Sequence, residues 1–176
     1  MELPKDFCYR IAFIGKARSG KDTSFSIISD LINNAINLKF ADPIYDILHY
    51  AQKMCDFPIE KDRQFLQYIG TEWARNKNEN IWVDLMEKNI NNNKDKSIII
   101  TDCRFKNEVN FLIKNNFVII KLIRMEAKIE SGETHQSEND LNDFYNYDYD
   151  IYNNSSLDYL TENLIRILKN IFIYKK

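Results

Sequence analysis

The segment Ile11-Ala-Phe-Ile-Gly15-Lys-Ala-Arg-Ser-Gly20-Lys21-Asp-Thr23 constrains this chain more than any other. It runs from an apolar stretch, through a turn bounded by glycines, into a lysine and a helical pattern. The chain has four glycines, and two of them stand here at the spacing G-x-x-x-x-G-K. That spacing lets backbone N–H groups turn inward around an anion where side chains would block the approach. The helix that follows points its N-terminal N–H groups and the positive end of its dipole at the same place. Lys21 adds a full charge near the β- and γ-phosphates of a nucleotide. One position departs from the usual loop. The residue after the lysine is normally Ser or Thr, whose hydroxyl touches Mg²⁺; here it is Asp22, with Thr23 next. Asp22 reads either as a partner of the metal through water or as a helix cap.

The rest of the chain alternates strands and helices. Residues 9–14, 36–40, 97–102, 117–123 and 149–152 read as five strands, the fourth of them apolar throughout. Helical spacing predicts helices over 21 to about 33, 43–55, 62–75, 80–92, 105–114 and 157–174, with Pro43 at a first helical position. Strands alternating with helices imply a parallel sheet in a three-layer α/β domain. Runs of Ile and Val without polar alternation fit strands covered on both faces. Ligands of such sheets bind outside the carboxyl ends of the strands. The loop at Gly15, Asp42 after the second strand, Asp102 after the third and Arg124 after the fourth all fall on that edge.

Composition narrows the function classes. At 176 residues the chain is expected to be one domain with a substantial core. A formal net charge of −2 excludes a general nucleic-acid footprint, which needs a basic face. No apolar run approaches a membrane span, and the mixed, charged start is unlike a signal peptide. Cys8, Cys55 and Cys103 lack metal-ligand spacing and read as free thiols of a reducing, cytoplasmic compartment. With two histidines, a His-based metal site is not expected. Lysine outnumbers arginine 17 to 7, and the abundance of Lys, Asn and Ile suggests an AT-rich genome. Arginine is scarce, so its placement carries weight: Arg18 lies in the loop, and Arg75, Arg104 and Arg124 fall near the ends of expected elements. Arginine suits bidentate phosphate contact.

Asp102 ends a strand beside the phosphate loop, where a carboxylate that holds Mg²⁺ or its water is usual. The plainer reading is a cap for the helix that follows. Arg104, two residues on, is placed to reach a transferred or acceptor phosphate. Residues 131–138, Ser-Gly-Glu-Thr-His-Gln-Ser-Glu, form part of a polar stretch about twenty residues long, a length that suggests a lid at about 125–145. A lid that excludes water favours transfer to an acceptor over hydrolysis.

Assembled, these residues resemble the deoxynucleoside monophosphate kinases of bacteriophages and related viral genomes. The similarity runs nearly end to end. It is carried by the loop from Gly15 to Thr23, Phe40-Ala-Asp-Pro-Ile44, Gln67-Tyr-Ile-Gly-Thr-Glu72 and Ile81-Trp-Val83. It continues in Thr101-Asp-Cys-Arg-Phe-Lys-Asn-Glu108, Thr134-His-Gln-Ser-Glu138 and Tyr149-Asp-Ile-Tyr-Asn-Asn-Ser-Ser-Leu157. A loop with Lys-Asp in place of Lys-Ser is itself a mark of that group.

The resemblance implies a P-loop kinase fold, Mg²⁺ and ATP as cofactors, and transfer to a deoxynucleoside monophosphate. By position it implies that Gly15, Lys16, Ala17, Arg18, Ser19, Gly20, Lys21, Asp22 and Thr23 hold the ATP phosphates. Asp42, Trp73, Arg75 and Arg104 line the acceptor side, and Arg124, His135 and Glu138 belong to the lid. Asn153 and Asn154 lie near adenine. In this reading Lys21, Arg104 and Arg124 stabilise the transferring group, and Asp102 with Asp22 manages the metal. The expected partner is a small molecule, with no nucleic acid and no membrane, and the protein is a monomer or homodimer.

The animal-type phosphomevalonate kinases share the Lys-Asp loop, the Asp-x-Arg after the third strand and an acidic-aromatic stretch, here Leu141-Asn-Asp-Phe-Tyr-Asn-Tyr-Asp148. They provide the alternative acceptor. A nucleotide-binding regulator without transferase activity is the alternative of a different class.

Overall fold

The computed structural model describes residues 3–4, 7–125 and 140–174. Its strands are β1 (Arg10–Ile14), β2 (Ala35–Asn37), β3 (Ser97–Ile100), β4 (Val118–Ile123) and β5 (Tyr149–Tyr152). They form one sheet in the order β2-β3-β1-β4-β5, and every pairing is parallel. The register sets Ala12 opposite Ile100, and Ile14 opposite Lys121. All carboxyl ends therefore meet on one edge. The chain leaves β1 towards β2 and β3 on one side and later returns to β4 and β5 on the other, so a crevice opens at the end of β1.

The strands carry apolar residues on both faces because both faces are covered. Ala12, Ile14, Ile98, Ile100 and Ile119 pack towards α5 (Ile81–Asn91) and α6 (Lys106–Lys114). Ile11, Phe13, Ile99, Ile120 and Leu122 pack towards α1 (Lys21–Leu31) and α7 (Leu157–Tyr174). Each fully buried side chain of this kind contributes about 1.5–3 kcal/mol by leaving water. The expected α/β layering around five parallel strands is thus the observed one.

Three local expectations differ. The second strand ends at Asn37 rather than at residue 40, because Phe40 and Ala41 give their N–H groups to Asp102 instead of continuing the ladder. The helix expected over 62–75 is three pieces: α3 (Arg63–Gln67), a π-helical turn (Tyr68–Trp73) and α4 (Ala74–Lys77). Gly70 sits in that turn where a Cβ would lie 3.0 Å from Ile44 Cδ1, and its carbonyl accepts a hydrogen bond from Trp82 Nε1 at 2.8 Å. Lastly, the fourth strand is not apolar throughout, since Lys121 stands within Val-Ile-Ile-Lys-Leu-Ile. The helix α2 (Asp42–Met54) begins at the carboxyl edge with Pro43 in its first turn, as the sequence implies.

Candidate active site

The loop between β1 and α1 has the shape that its glycines require. Gly15 and Gly20 take φ values of 142° and 104°, which side chains rarely adopt. A Cβ on Gly15 would collide with the Leu122 carbonyl of β4, and one on Gly20 with the amide of Asn153. Ser24 Oγ donates back to the Gly20 carbonyl at 3.0 Å. Lys21 folds over the loop, its Nζ donating to the carbonyls of Gly15 at 2.7 Å and Lys16 at 2.8 Å. The ammonium thus sits across the mouth of the loop, and an incoming phosphate competes with carbonyls for it.

A cleft of about 580 Å³ opens on this loop. Its walls are Gly15, Lys16, Ala17 and Lys21 from the loop, Cys103 and Arg104 after β3, and Lys121 to Met125 at the end of β4. Leu141 and Asn142 close another side. Lys21, Arg104 and Arg124, expected to act together from three separate parts of the sequence, do line one cavity. Lys121 joins them and was not anticipated. Burial pushes the Cys103 thiol well above its ordinary pKa, so it lines the cleft as an apolar wall rather than as a thiolate.

Asp22 lies in the first turn of α1 with a largely exposed side chain. Its Oδ1 accepts from Thr101 Oγ1 at 3.1 Å and from Lys39 Nζ at 3.3 Å. Thr101, just past β3, also accepts from Asn37 Nδ2 at the end of β2, at 3.1 Å. In the usual arrangement the hydroxyl comes from the loop and the carboxylate from the strand. Here the loop supplies the carboxylate and the strand side the hydroxyl, across the same gap. The signal for this pairing was Asp22 itself, but its partner Thr101 was invisible until the strands were placed.

Asp102 was expected to hold metal or to cap the helix after it. Instead its two carboxylate oxygens accept from Phe40 N at 3.0 Å and Ala41 N at 2.9 Å, so it braces the turn into α2. Burial raises its pKa to about 6, opposed by the same two N–H groups. Both oxygens of Asp102 thus have backbone partners, and Asp22 is the more open carboxylate. Asp42 accepts from Lys39 N at 3.2 Å, closing the same turn.

Arg75 also has a partner that the sequence does not show. Expected at the acceptor, its guanidinium instead forms an ion pair with Glu108 of α6 and stacks at 3.8 Å over the Phe105 ring. The pair is almost wholly enclosed, with side-chain exposures of 9% and 2%. Glu108 Oε2 accepts from the N–H groups of Arg104 at 2.8 Å and Phe105 at 3.0 Å. Glu108 therefore holds the backbone that presents Arg104. Burial raises its pKa to about 7, and the Arg75 charge only partly offsets that. A Glu three places into a helix reaching back to the N-cap is readable from sequence; its ion pair with Arg75 is not.

Asn153 and Asn154, expected near adenine, each contact backbone. Asn153 Nδ2 donates to the Ser19 carbonyl at 2.9 Å, bracing the loop from behind. Asn154 Oδ1 accepts from Met125 N at 2.8 Å. Trp73 ends the π-helical turn, partly exposed, with Lys77 Nζ 4.4 Å from its ring centre. His135 and Glu138 lie outside the described residues, as does most of the expected lid.

A phosphate loop at the crevice of a parallel sheet, faced by cations from the ends of two neighbouring strands, defines the chain as a P-loop phosphotransferase of α/β architecture. A solved sugar kinase from Janibacter sp. HTCC2649 shares this fold with a TM-score of 0.57 at 13% identity, over 93% of this chain and 95% of that one. The model of the deoxynucleotide monophosphate kinase family matches residues 60–164, and the chain belongs to that family. A protein of Acanthamoeba polyphaga mimivirus, described as a provisional deoxynucleotide monophosphate kinase, is 28% identical over 91% of this chain and 96% of its own length. The chain is thus a nucleotide kinase that acts on a deoxynucleoside monophosphate, which sets aside the phosphomevalonate and regulator alternatives. Among the described residues no helix is long and apolar enough to cross a membrane.

Proposed function

We propose that the cleft transfers the γ-phosphoryl group of ATP to the phosphate of a deoxynucleoside monophosphate, with Mg²⁺ held at Asp22. The observation that carries this reading is the convergence of Lys21, Arg104 and Arg124 on one cavity floored by the glycine loop. In-line phosphoryl transfer asks for positioning and for charge around the moving group, not for a strong base. The loop N–H groups and Lys21 grip the donor phosphates. Arg104, held by Glu108 through its own backbone, addresses the acceptor phosphate. Arg124 faces the transferring group from the β4 side. Gly15 and Gly20 let the loop close against Leu122 and Asn153, a packing that a Cβ at either position would break, and the turn so formed directs backbone N–H groups at phosphate oxygens.

The residues present also fit Mg²⁺. No group of three or more His, Cys, Asp or Glu side chains among the described residues could hold a metal alone. Mg²⁺ typically needs only one or two carboxylates, with substrate phosphates and water completing its shell. Asp22 supplies the carboxylate, and Thr101 orients it. When bound, the ion neutralises charge on the phosphates. Trp73 and Tyr68, exposed on the π-helical turn, give an acceptor base aromatic surface to stack on.

The test is ADP release from Mg-ATP with each deoxynucleoside and ribonucleoside monophosphate, mevalonate phosphate, or no acceptor. Release with deoxynucleoside monophosphates names the substrate. The Lys21→Met protein should lose about 10²-fold or more in kcat while remaining folded. An unchanged rate in that folded variant sinks the assignment of the loop.

A further inference from the structure

We infer that Lys121 is a further phosphate-binding cation of the cleft, a role that rests on the kinase reading above. It is the charged residue of a strand flanked on both sides by β1 and β5. Its register partner is Ile14, the residue before Gly15, so its backbone lies beside the phosphate loop. Its side chain lines the same cavity as Lys21, Arg104 and Arg124.

Lys121 is half-buried in an otherwise apolar strand, where the charge gains when an anion meets it. Lys121 Nζ has the Phe144 carbonyl at 3.3 Å and the rings of Tyr147 and Tyr145 at 5.1 and 5.4 Å. Among the described residues no carboxylate lies within ion-pair distance of it. One carbonyl and two ring faces orient an ammonium without neutralising it. An ammonium has three donors, and this contact set leaves donors for a further acceptor. Five cations, Lys16, Lys21, Arg104, Lys121 and Arg124, share one cavity; they repel each other in the free protein and lower their energy together when a polyanion enters. The chemistry that Lys121 lacks is therefore that of a phosphate, belonging either to the donor or to the acceptor nucleotide.

The test separates charge from tethering. Lys121→Gln keeps an N–H donor towards the Phe144 carbonyl but removes the charge, whereas Lys121→Arg keeps the charge. The glutamine variant should lose about a hundredfold in kcat/KM with an unchanged Tm, and the arginine variant should recover most of that loss. Calorimetric titration with a non-hydrolysable ATP analogue and, separately, with the deoxynucleoside monophosphate identifies the phosphate by which affinity falls. Wild-type kinetics in the glutamine variant, or equal losses in both variants, would overturn the inference. If the glutamine variant does not fold, amine acetylation of the wild-type protein read by mass spectrometry decides. Either nucleotide should shield Lys121, and modification at the same rate with and without both would overturn it. Lys21→Met run in parallel keeps the two readings apart. Loss there with none at Lys121→Gln removes this inference alone, and no loss in either removes the kinase cleft.

Discussion

Replacing Arg75 with Met decides between the role expected from sequence and the role seen in the fold. An acceptor-binding arginine would be dispensable for stability, and its loss would raise the KM of the monophosphate. The ion pair with Glu108 predicts something else. Both side chains are enclosed, and Glu108 also accepts two backbone N–H groups. Removing one member of a buried pair leaves the other charge uncompensated, at a cost of about 3–5 kcal/mol. For a domain of this size that is a fall in Tm of roughly 6–20 °C. Glu108→Gln should be destabilising for the converse reason. The double variant Arg75→Met with Glu108→Gln removes both charges and should recover most of the loss, giving a coupling of about 2 kcal/mol or more in the double-mutant cycle. The assay is urea unfolding of the four proteins at pH 8, where Glu108, with its pKa at about 7, is ionised. At pH 5 Glu108 is protonated, so the cost of Arg75→Met should shrink. A loss below about 1 kcal/mol at pH 8, together with a raised KM for the monophosphate, would refute the argument and return Arg75 to the acceptor.

Two further outcomes follow from the same geometry. The folded pKa values of Asp102, at about 6, and Glu108, at about 7, lie above the ordinary carboxyl range, so the native state binds more protons than the unfolded chain between about pH 4 and those values. Their contribution to stability must therefore fall as pH rises through that window. Glu108→Gln should flatten the slope measured by urea unfolding from pH 5 to 7, and an unchanged slope would show that Glu108 does not titrate there. Gly20→Ala forces a side chain into a backbone with φ of 104° and against the Asn153 amide, displacing its hydrogen bond to Ser19. Thermal unfolding should report a loss of about 2–4 kcal/mol, and ATP affinity should fall with it. Full ATP affinity in the alanine variant would mean that the loop does not need its glycine.

Much of the site was legible before any coordinates. The glycine spacing and Lys21 gave the loop, and the ends of the third and fourth strands gave Arg104 and Arg124, because chain order alone places strand ends on one edge. Where the fold adds partners that residue type does not foretell, the cause is shared. The residue types of Arg75, Asp102 and Asn153 suit contact with a ligand or metal. In the fold each also meets a neighbour from a distant segment: Glu108, the backbone at Phe40 and Ala41, and the Ser19 carbonyl. Lys121 was missed because six neighbouring apolar residues made its strand read as core.

What the sequence by itself determined is local or periodic: a loop that only glycine permits, strands too apolar to face water, helices with one apolar face, and hence the α/β class. The tertiary structure decided which polar side chains remain available to a ligand. That choice depends on hydrogen bonds and ion pairs formed across tens of residues, such as Arg75 with Glu108 and Asp22 with Thr101. A buried charge or amide takes whatever partner the packing brings within about 3 Å, and one-dimensional spacing does not contain that distance.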